Sequence, residues 1–297
     1  MSYQENYQKW LDFASLPAYL HDELVAMDEK TKEDAFYTNL EFGTAGMRGY
    51  IGAGTNRINI YVVRQATEGL AQLIDSKGEE AKKRGVAIAY DSRHFSPEFA
   101  FESAQVLAAH GIKSYVFESL RPTPELSFAV RHLHTFAGIM VTASHNPAPF
   151  NGYKVYGEDG GQMPPADADA LTDYIRAIEN PFTVELADLE EGKASGLIEV
   201  IGENVDVEYL KEVKGVNINQ DLINEYGRDM KIVYTPLHGT GEMLARRALA
   251  QAGFEAVQVV EAQAVPDPDF STVKSPNPEN QEAFALSEEL GRKVDAD

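Results

Sequence analysis

Residues 86–117 read VAIAYDSRHFSPEFAFESAQVLAAHGIKSYVF, and this stretch decides the fold. Val86–Tyr90 is a short apolar run with the length of a buried strand. Residues 96–110 then place Ala100, Ser103, Ala104, Leu107 and Ala108 at helical spacing. Pro97 stands in the first turn, where its missing N–H is no loss. Gly111 ends the helix, and residues 112–117 read as a second strand. Working outward, residues 61–74 carry Val63, Ala66, Leu70 and Leu73 on one helical face. Residues 124–134 read as a helix and 137–143 (AGIMVTA) as a strand. Strands alternating with helices predict an α/β domain with a largely parallel or mixed sheet, in three α/β/α layers.

Residues 1–40 look like a helical preface packed on the outside of this domain. Residues 41–57 (EFGTAGMRGYIGAGTNR) are glycine-rich, suited to close approach and unusual dihedrals rather than to core. Residues 180–205 read as an edge segment and connector, and 206–226 as helical. A second α/β unit follows, with strands at 231–234 and 256–260 and helices at 241–252 and 281–290. The segment VPDPDFSTVKSPNPEN is proline-rich and therefore a loop. The expected division is 1–205 and 206–297.

The 297 residues suit about two domains. Hydrophobic residues are 43% and charged residues 25%, which excludes wholesale disorder. Cysteine is absent, so disulfide scaffolds, thiolate metal sites and a cysteine nucleophile are excluded. A formal charge of −21 disfavours nucleic acid and anionic membrane as partners. With no secretory signal and no apolar span, the expectation is a cytoplasmic protein.

Thr142-Ala143-Ser144-His145-Asn146-Pro147 closes the strand at 137–143. Ligands in open α/β sheets gather at the carboxyl ends of strands, which presents Ser144 at a candidate site. Ser, Asn and Pro are also ordinary turn residues, and both readings stand on the residues alone. A hydrolase nucleophile fits poorly: G-x-S-x-G is not matched, and His145 is badly placed to take the proton of its neighbour. A phosphoryl carrier needs cations nearby, because phosphoserine holds close to two negative charges. His145, Lys154 and Arg48 are the candidates. Asn151-Gly152 reads as a tight turn, with a strand after it carrying Lys154 back toward Ser144.

Phe42-Gly43-Thr44-Ala45-Gly46 offers bare backbone N–H groups to an anion, and Arg48 adds a fork of donors. G-x-G-x-x-G fails, since Arg57 follows Gly52 and Gly54 where the third glycine belongs, so a dinucleotide site is disfavoured. Asp91 is expected to pair with Arg93 or to cap the next helix. His238-Gly239-Thr240-Gly241 either binds an anion at a helix start or turns the chain. The D-x-D pairs Asp167/Asp169 and Asp267/Asp269 do not make a convincing magnesium site; the first opens a helix and the second lies in the proline loop.

Together these motifs resemble the α-D-phosphohexomutases. Phe42 to Gly49 looks like the first active-site loop, Thr142 to Pro147 like the phosphoserine loop, and Asn151-Gly152-Tyr153-Lys154 like the segment with a catalytic lysine. Thr235 to Gly241 and Ser275-Pro276-Asn277-Pro278-Glu279 are similar too. FGTAG and LHGTG place the likeness nearest the bacterial phosphoglucomutase branch, which includes phosphopentomutases. The resemblance implies that Ser144, as phosphoserine, exchanges its phosphoryl with a sugar monophosphate through a bisphosphorylated intermediate. The net reaction would be glucose 1-phosphate ⇌ glucose 6-phosphate. Mg²⁺, Arg48 and His145 would stabilise the transferring charge, and Lys154 would be the general acid/base with a lowered pKa. Thr44, Gly46, Arg93 and Asn146 would line the phosphate site, with glucose 1,6-bisphosphate as activator.

Mannose, glucosamine or pentose phosphates are alternative substrates, and a non-catalytic sugar-phosphate binder is the alternative class. The family's D-x-D-x-D-R metal loop is not found, so the phosphate on Ser144 would be the one metal ligand here. The third and fourth domains that the resemblance implies are expected to lie outside these residues as well. The expectation is therefore a complete first domain, a second domain truncated before the metal loop, and little mutase activity in these residues alone. An exposed edge on the second sheet, with poor solubility, is expected too.

Overall fold

The computed structural model describes residues 2–43 and 46–297. Three short helices open the chain: α1 (Tyr3–Leu11), α2 (Ala18–Ala26) and α3 (Glu29–Phe36). Then come β1 (Met47–Tyr50), α4 (Ile60–Lys77), α5 (Glu79–Arg84), β2 (Val86–Tyr90), α6 (Ser96–Ala109) and β3 (Ser114–Phe117). They lead into α7 (Thr123–His132), β4 (Ala137–Val141), β5 (Phe150–Tyr156) and α8 (Pro165–Ala177). After these come α9 (Leu189–Ser195), β6 (Ile198–Ile201), α10 (Glu203–Gly215) and α11 (Gln220–Tyr226). The chain closes with β7 (Ile232–Tyr234), α12 (Gly241–Ala252), β8 (Val257–Val259) and α13 (Ala285–Val294).

The first sheet has six strands in the order β1-β5-β4-β2-β3-β6. β4, β2, β3 and β6 run parallel, while β5 is antiparallel to both β4 and β1. Alternation along β2 shows the layering. Val86, Ile88 and Tyr90 join α4, α6 and α8 in one core, whereas Ala87 and Ala89 join α7 and the start of α10 in the other. Side chains of a strand point alternately to the two faces, so a strand buried on both sides reads as a continuous apolar run. The expected α/β/α arrangement with a mixed sheet is what the chain adopts. β7 and β8 form a separate parallel pair.

Two expectations change. The preface is three helices rather than one, because Pro17 starts α2 and Asp28 caps α3, accepting from the N–H of Thr31. It is also part of the core: Trp10, Leu20 and Leu24 are buried, and Trp10 packs edge-on against Phe36 and Tyr61. As expected, the connector at 180–205 contributes an edge strand, β6, paired with β3. Among the described residues no helix is long and apolar enough to cross a membrane.

Candidate active site

Ser144 lies just past the carboxyl end of β4. Its backbone is left-handed, with φ 57°, a conformation that non-glycine residues adopt mainly where the surroundings over-determine it. Those surroundings are hydrogen bonds. The Ser144 N–H donates to Oγ1 of Thr142 at 2.9 Å, and that hydroxyl donates to Oδ2 of buried Asp91 at 2.5 Å. Oδ1 of Asp91 accepts from the Arg93 N–H at 3.0 Å and from the Ser96 hydroxyl at 2.8 Å. Burial pushes the Asp91 carboxyl up, and the Arg93 charge with these donors opposes the rise. With the loop held from beneath, the Ser144 side chain stands exposed.

β5 brings the lysine back. Lys154 is the register partner of Met140 on β4, and its Nζ donates to Oγ of Ser144 at 2.9 Å. Burial, followed by the nearby Arg48 guanidinium, holds the Lys154 pKa below the ordinary lysine range. Arg48 comes from β1, opposite Gly152, and its Nη1 donates to Oδ1 of Asn146 at 2.7 Å. Three neighbouring strands thus set a hydroxyl, an ammonium and a guanidinium around one exposed loop.

Gly46 lets the glycine-rich loop reach this point. Its φ is +88°, and a Cβ there would lie 2.2 Å from the Tyr153 carbonyl oxygen and 2.8 Å from Cα of Lys154. Thr44 lies outside the described residues. His145 is exposed beside Ser144. Asn151-Gly152 is not the expected turn. It sits inside β5, the chain turns over 144–149, and the Asn151 amide ties the His94 carbonyl and the Ser96 hydroxyl to the strand.

Arg93 corrects a second expectation. It was placed with the phosphate-binding groups, yet it is 1% exposed. Its Nη1 donates to the carbonyls of Pro147 and Phe150, both at 3.0 Å, and Nη2 to those of Ser144 and Asn146, at 2.9 and 2.6 Å. Nε lies 3.2 Å from Asp91. With both Nη groups bonded to the main chain, Arg93 supports the loop. His238 is likewise engaged internally, Nδ1 with the Val265 carbonyl and Nε2 with the Thr272 hydroxyl, which makes its loop a turn. Asp267 receives the N–H groups of Asp269 and Ser271. Among the described residues no group of three or more His, Asp or Glu side chains converges as a metal site needs. A cavity of about 760 Å³ between α1, α4 and α8 contains none of these residues.

Thr142 and Asp91 complete the site and were missed as a pair. The available signal was a polar residue at each of two strand ends, but their adjacency follows from β2 pairing with β4, which places Tyr90 beside Val141.

A parallel-centred α/β/α domain with a serine loop at the carboxyl end of a central strand defines the class. The family description phosphoglucomutase/phosphomannomutase, alpha/beta/alpha domain I, matches residues 39–182, and domain II of the same family matches residues 207–297. A phosphoglucomutase of Staphylococcus epidermidis is 41% identical over 90% of this chain and 47% of its own length. That of Staphylococcus haemolyticus is 40% identical over 94% of this chain and 50% of its own. A solved phosphoglucomutase/phosphomannomutase family protein from Burkholderia thailandensis superposes with a TM-score of 0.64, at 21% identity, over 88% of this chain and 51% of its own. This chain belongs to the phosphoglucomutase/phosphomannomutase family. It spans about half the length of the curated relatives it matches.

Proposed function

We propose that the protein is a phosphoglucomutase in which Ser144 carries the phosphoryl group. The observation supporting this is the exposed Ser144 hydroxyl at a strand's carboxyl end, with Lys154 Nζ at 2.9 Å. A hydroxyl oxygen of glucose 1-phosphate attacks the phosphorus of phosphoserine, and the bond to Oγ of Ser144 breaks. Lys154, its pKa lowered by burial and by Arg48, takes the proton of the attacking hydroxyl in its neutral form. The bisphosphorylated sugar reorients and returns its other phosphoryl to Ser144, leaving glucose 6-phosphate. Lys154 then supplies the proton to the sugar oxygen released.

Arg48, through its remaining donors, and His145 would stabilise the charge on the transferring oxygens, which is what such a site requires. Asn146 orients Arg48, Gly46 packs against the Lys154 backbone, and Thr44 is a proposed phosphate-binding residue. Glucose 1,6-bisphosphate would load Ser144. Mg²⁺ would be held in part by a phosphate on Ser144, which would supply one of its oxygen ligands, and would itself neutralise charge at the transferring oxygens. The first functional unit is taken as 1–205 and the second as 206–297.

The test is a coupled assay of glucose 1-phosphate conversion with Mg²⁺ and a trace of glucose 1,6-bisphosphate, on the complete protein and on Ser144→Ala. Turnover in the first and a loss of at least about 10⁴-fold in the second is the expected result. Undiminished turnover by Ser144→Ala would end the phosphoserine reading. Preference for mannose or pentose phosphates would move the protein to another substrate class within the family.

A further inference from the structure

We propose that Phe270, from the proline-rich loop of the second unit, is a positioning residue that seats Arg93 and, with Asp269 holding the adjacent His94, keeps the Ser144 loop in its reactive shape. The proposal rests on the phosphoserine reading above. Arg93 is the one buried side chain described here whose guanidinium reaches four carbonyls of the segment from Ser144 to Phe150. Its guanidinium carbon lies over the Phe270 ring, 5.1 Å from the centroid. A cation over an aromatic face is attracted by the ring quadrupole, most strongly where water is excluded. Phe270 is 5% exposed, so the contact is dry.

The next residue on each side repeats the link. Nε2 of His94 lies 2.7 Å from Oδ1 of Asp269, and the His94 carbonyl accepts from the amide of Asn151, two residues before Tyr153 on β5. Two adjacent residues of one unit thus meet two adjacent residues of the other.

The loop that presents Phe270 is itself braced. Phe270 has φ 50°, unfavourable for a bulky side chain and therefore imposed by its neighbours. Asp267 accepts from the N–H groups of Asp269 and Ser271 on either side of it. His238 spans the same loop, from the Val265 carbonyl to the Thr272 hydroxyl. A left-handed phenylalanine fixed from both flanks is a device for aiming a ring, and its target is the arginine under the serine loop. The assignment also accounts for Asp269, which holds His94.

Two measurements test it, on wild type, Phe270→Leu and Phe270→Tyr. Leucine keeps apolar volume and removes the ring face; tyrosine keeps the face. The first measurement is amide hydrogen exchange over 142–151. The expected result is roughly tenfold faster exchange at Ser144 and Asn146 in Phe270→Leu, with protection of β2 and α4 unchanged, and recovery in Phe270→Tyr. Unaltered exchange in Phe270→Leu overturns the proposal, as does uniform acceleration through the first unit, which would mean general destabilisation. The second is turnover of the complete protein. A kcat roughly tenfold lower or less, with KM for the sugar phosphate little changed, is expected for Phe270→Leu. Wild-type kcat there overturns the positioning role. Ser144→Ala, run beside them, separates the two failures: if it turns over normally the phosphoserine reading fails, while the exchange data still report whether the ring orders the loop.

Discussion

At Lys154 the electrostatics and the geometry agree. Burial disfavours its charged form, the Arg48 guanidinium adds like-charge repulsion, and Asp91 pulls weakly the other way. A lysine that acts as a base works deprotonated, so kcat/KM should rise with pH through its lowered pKa. Replacing Arg48 by Gln removes one of the depressing influences. The rising limb of the pH–rate profile of Arg48→Gln is expected to move to higher pH, beyond any loss in its plateau. An unmoved limb would mean that the limb belongs to another group. Lys154→Gln is expected to lower kcat by about 10²–10⁴-fold and to flatten that limb, read in the same coupled assay. His145 and Ser144 were legible as candidates because TASHNP follows an apolar run. Arg93 was misread because a cation in a loop looks like an anion ligand until its partners are known.

Two elements carry the loop architecture, and each has a residue that cannot be exchanged freely. Gly152 lies where β5 is flanked by β1 and β4. A Cβ there would lie 2.6 Å from the Thr142 carbonyl oxygen and 2.9 Å from that of Met47, both of them backbone. Gly152→Ala should therefore part the strands beside Ser144, costing about 2–3 kcal/mol in urea unfolding, since neither neighbour can yield by rotating. Asn59 starts α4. Its Oδ1 accepts from the N–H groups of Tyr61 and Val62, both at 3.1 Å, while its Nδ2 donates to the carbonyls of Gly52 and Gly54, both at 2.9 Å. It caps the helix and closes the preceding turn in one side chain. Asn59→Ala is expected to cost roughly 2 kcal/mol, the sum of a cap and a buried hydrogen bond. A change below about 0.5 kcal/mol would show that the turn holds itself, as surface substitutions do.

In the molecule as a whole, charge is buried where α10 packs against the first sheet's helices. Arg121 is 1% exposed and grips Asp206 of α10 with two hydrogen bonds, at 2.7 and 2.9 Å. Glu125 of α7 is fully buried beside them, and among the described residues no donor reaches either of its carboxyl oxygens. Burial, then the neighbouring Asp206, push the Glu125 pKa up to about 9, so the group is held neutral and can itself donate toward Asp206. Burial acts upward on Asp206 also, but Arg121, Glu125 and Arg247 outweigh it and hold that carboxyl below the usual range. The sign follows from linkage. A carboxyl raised in the folded state stabilises fully below its unfolded pKa and loses that contribution as pH rises toward about 9. Glu125→Gln, neutral at every pH, is expected to gain on wild type as pH goes from 5 to 9, by at least about 1 kcal/mol at the alkaline end. Urea midpoints across that range measure it, and parallel pH dependences for the two proteins would contradict it.

Strand runs, helix spacing and proline or glycine punctuation are local properties of the chain, so the alternation of strands and helices, the family motifs and Ser144 as a candidate were legible in the residues alone. The sequence did not show that Asn151-Gly152 lies within a strand, since Asn-Gly is compatible with a turn until a partner strand claims its backbone. Sheet order is non-local. Only the tertiary structure places Asp91 against Thr142, returns Lys154 to Ser144, engages Arg93 with four carbonyls, and sets Phe270 of one unit over that arginine in the other. Those contacts depend on which strands become neighbours and how two units dock, quantities set by burial over the whole chain.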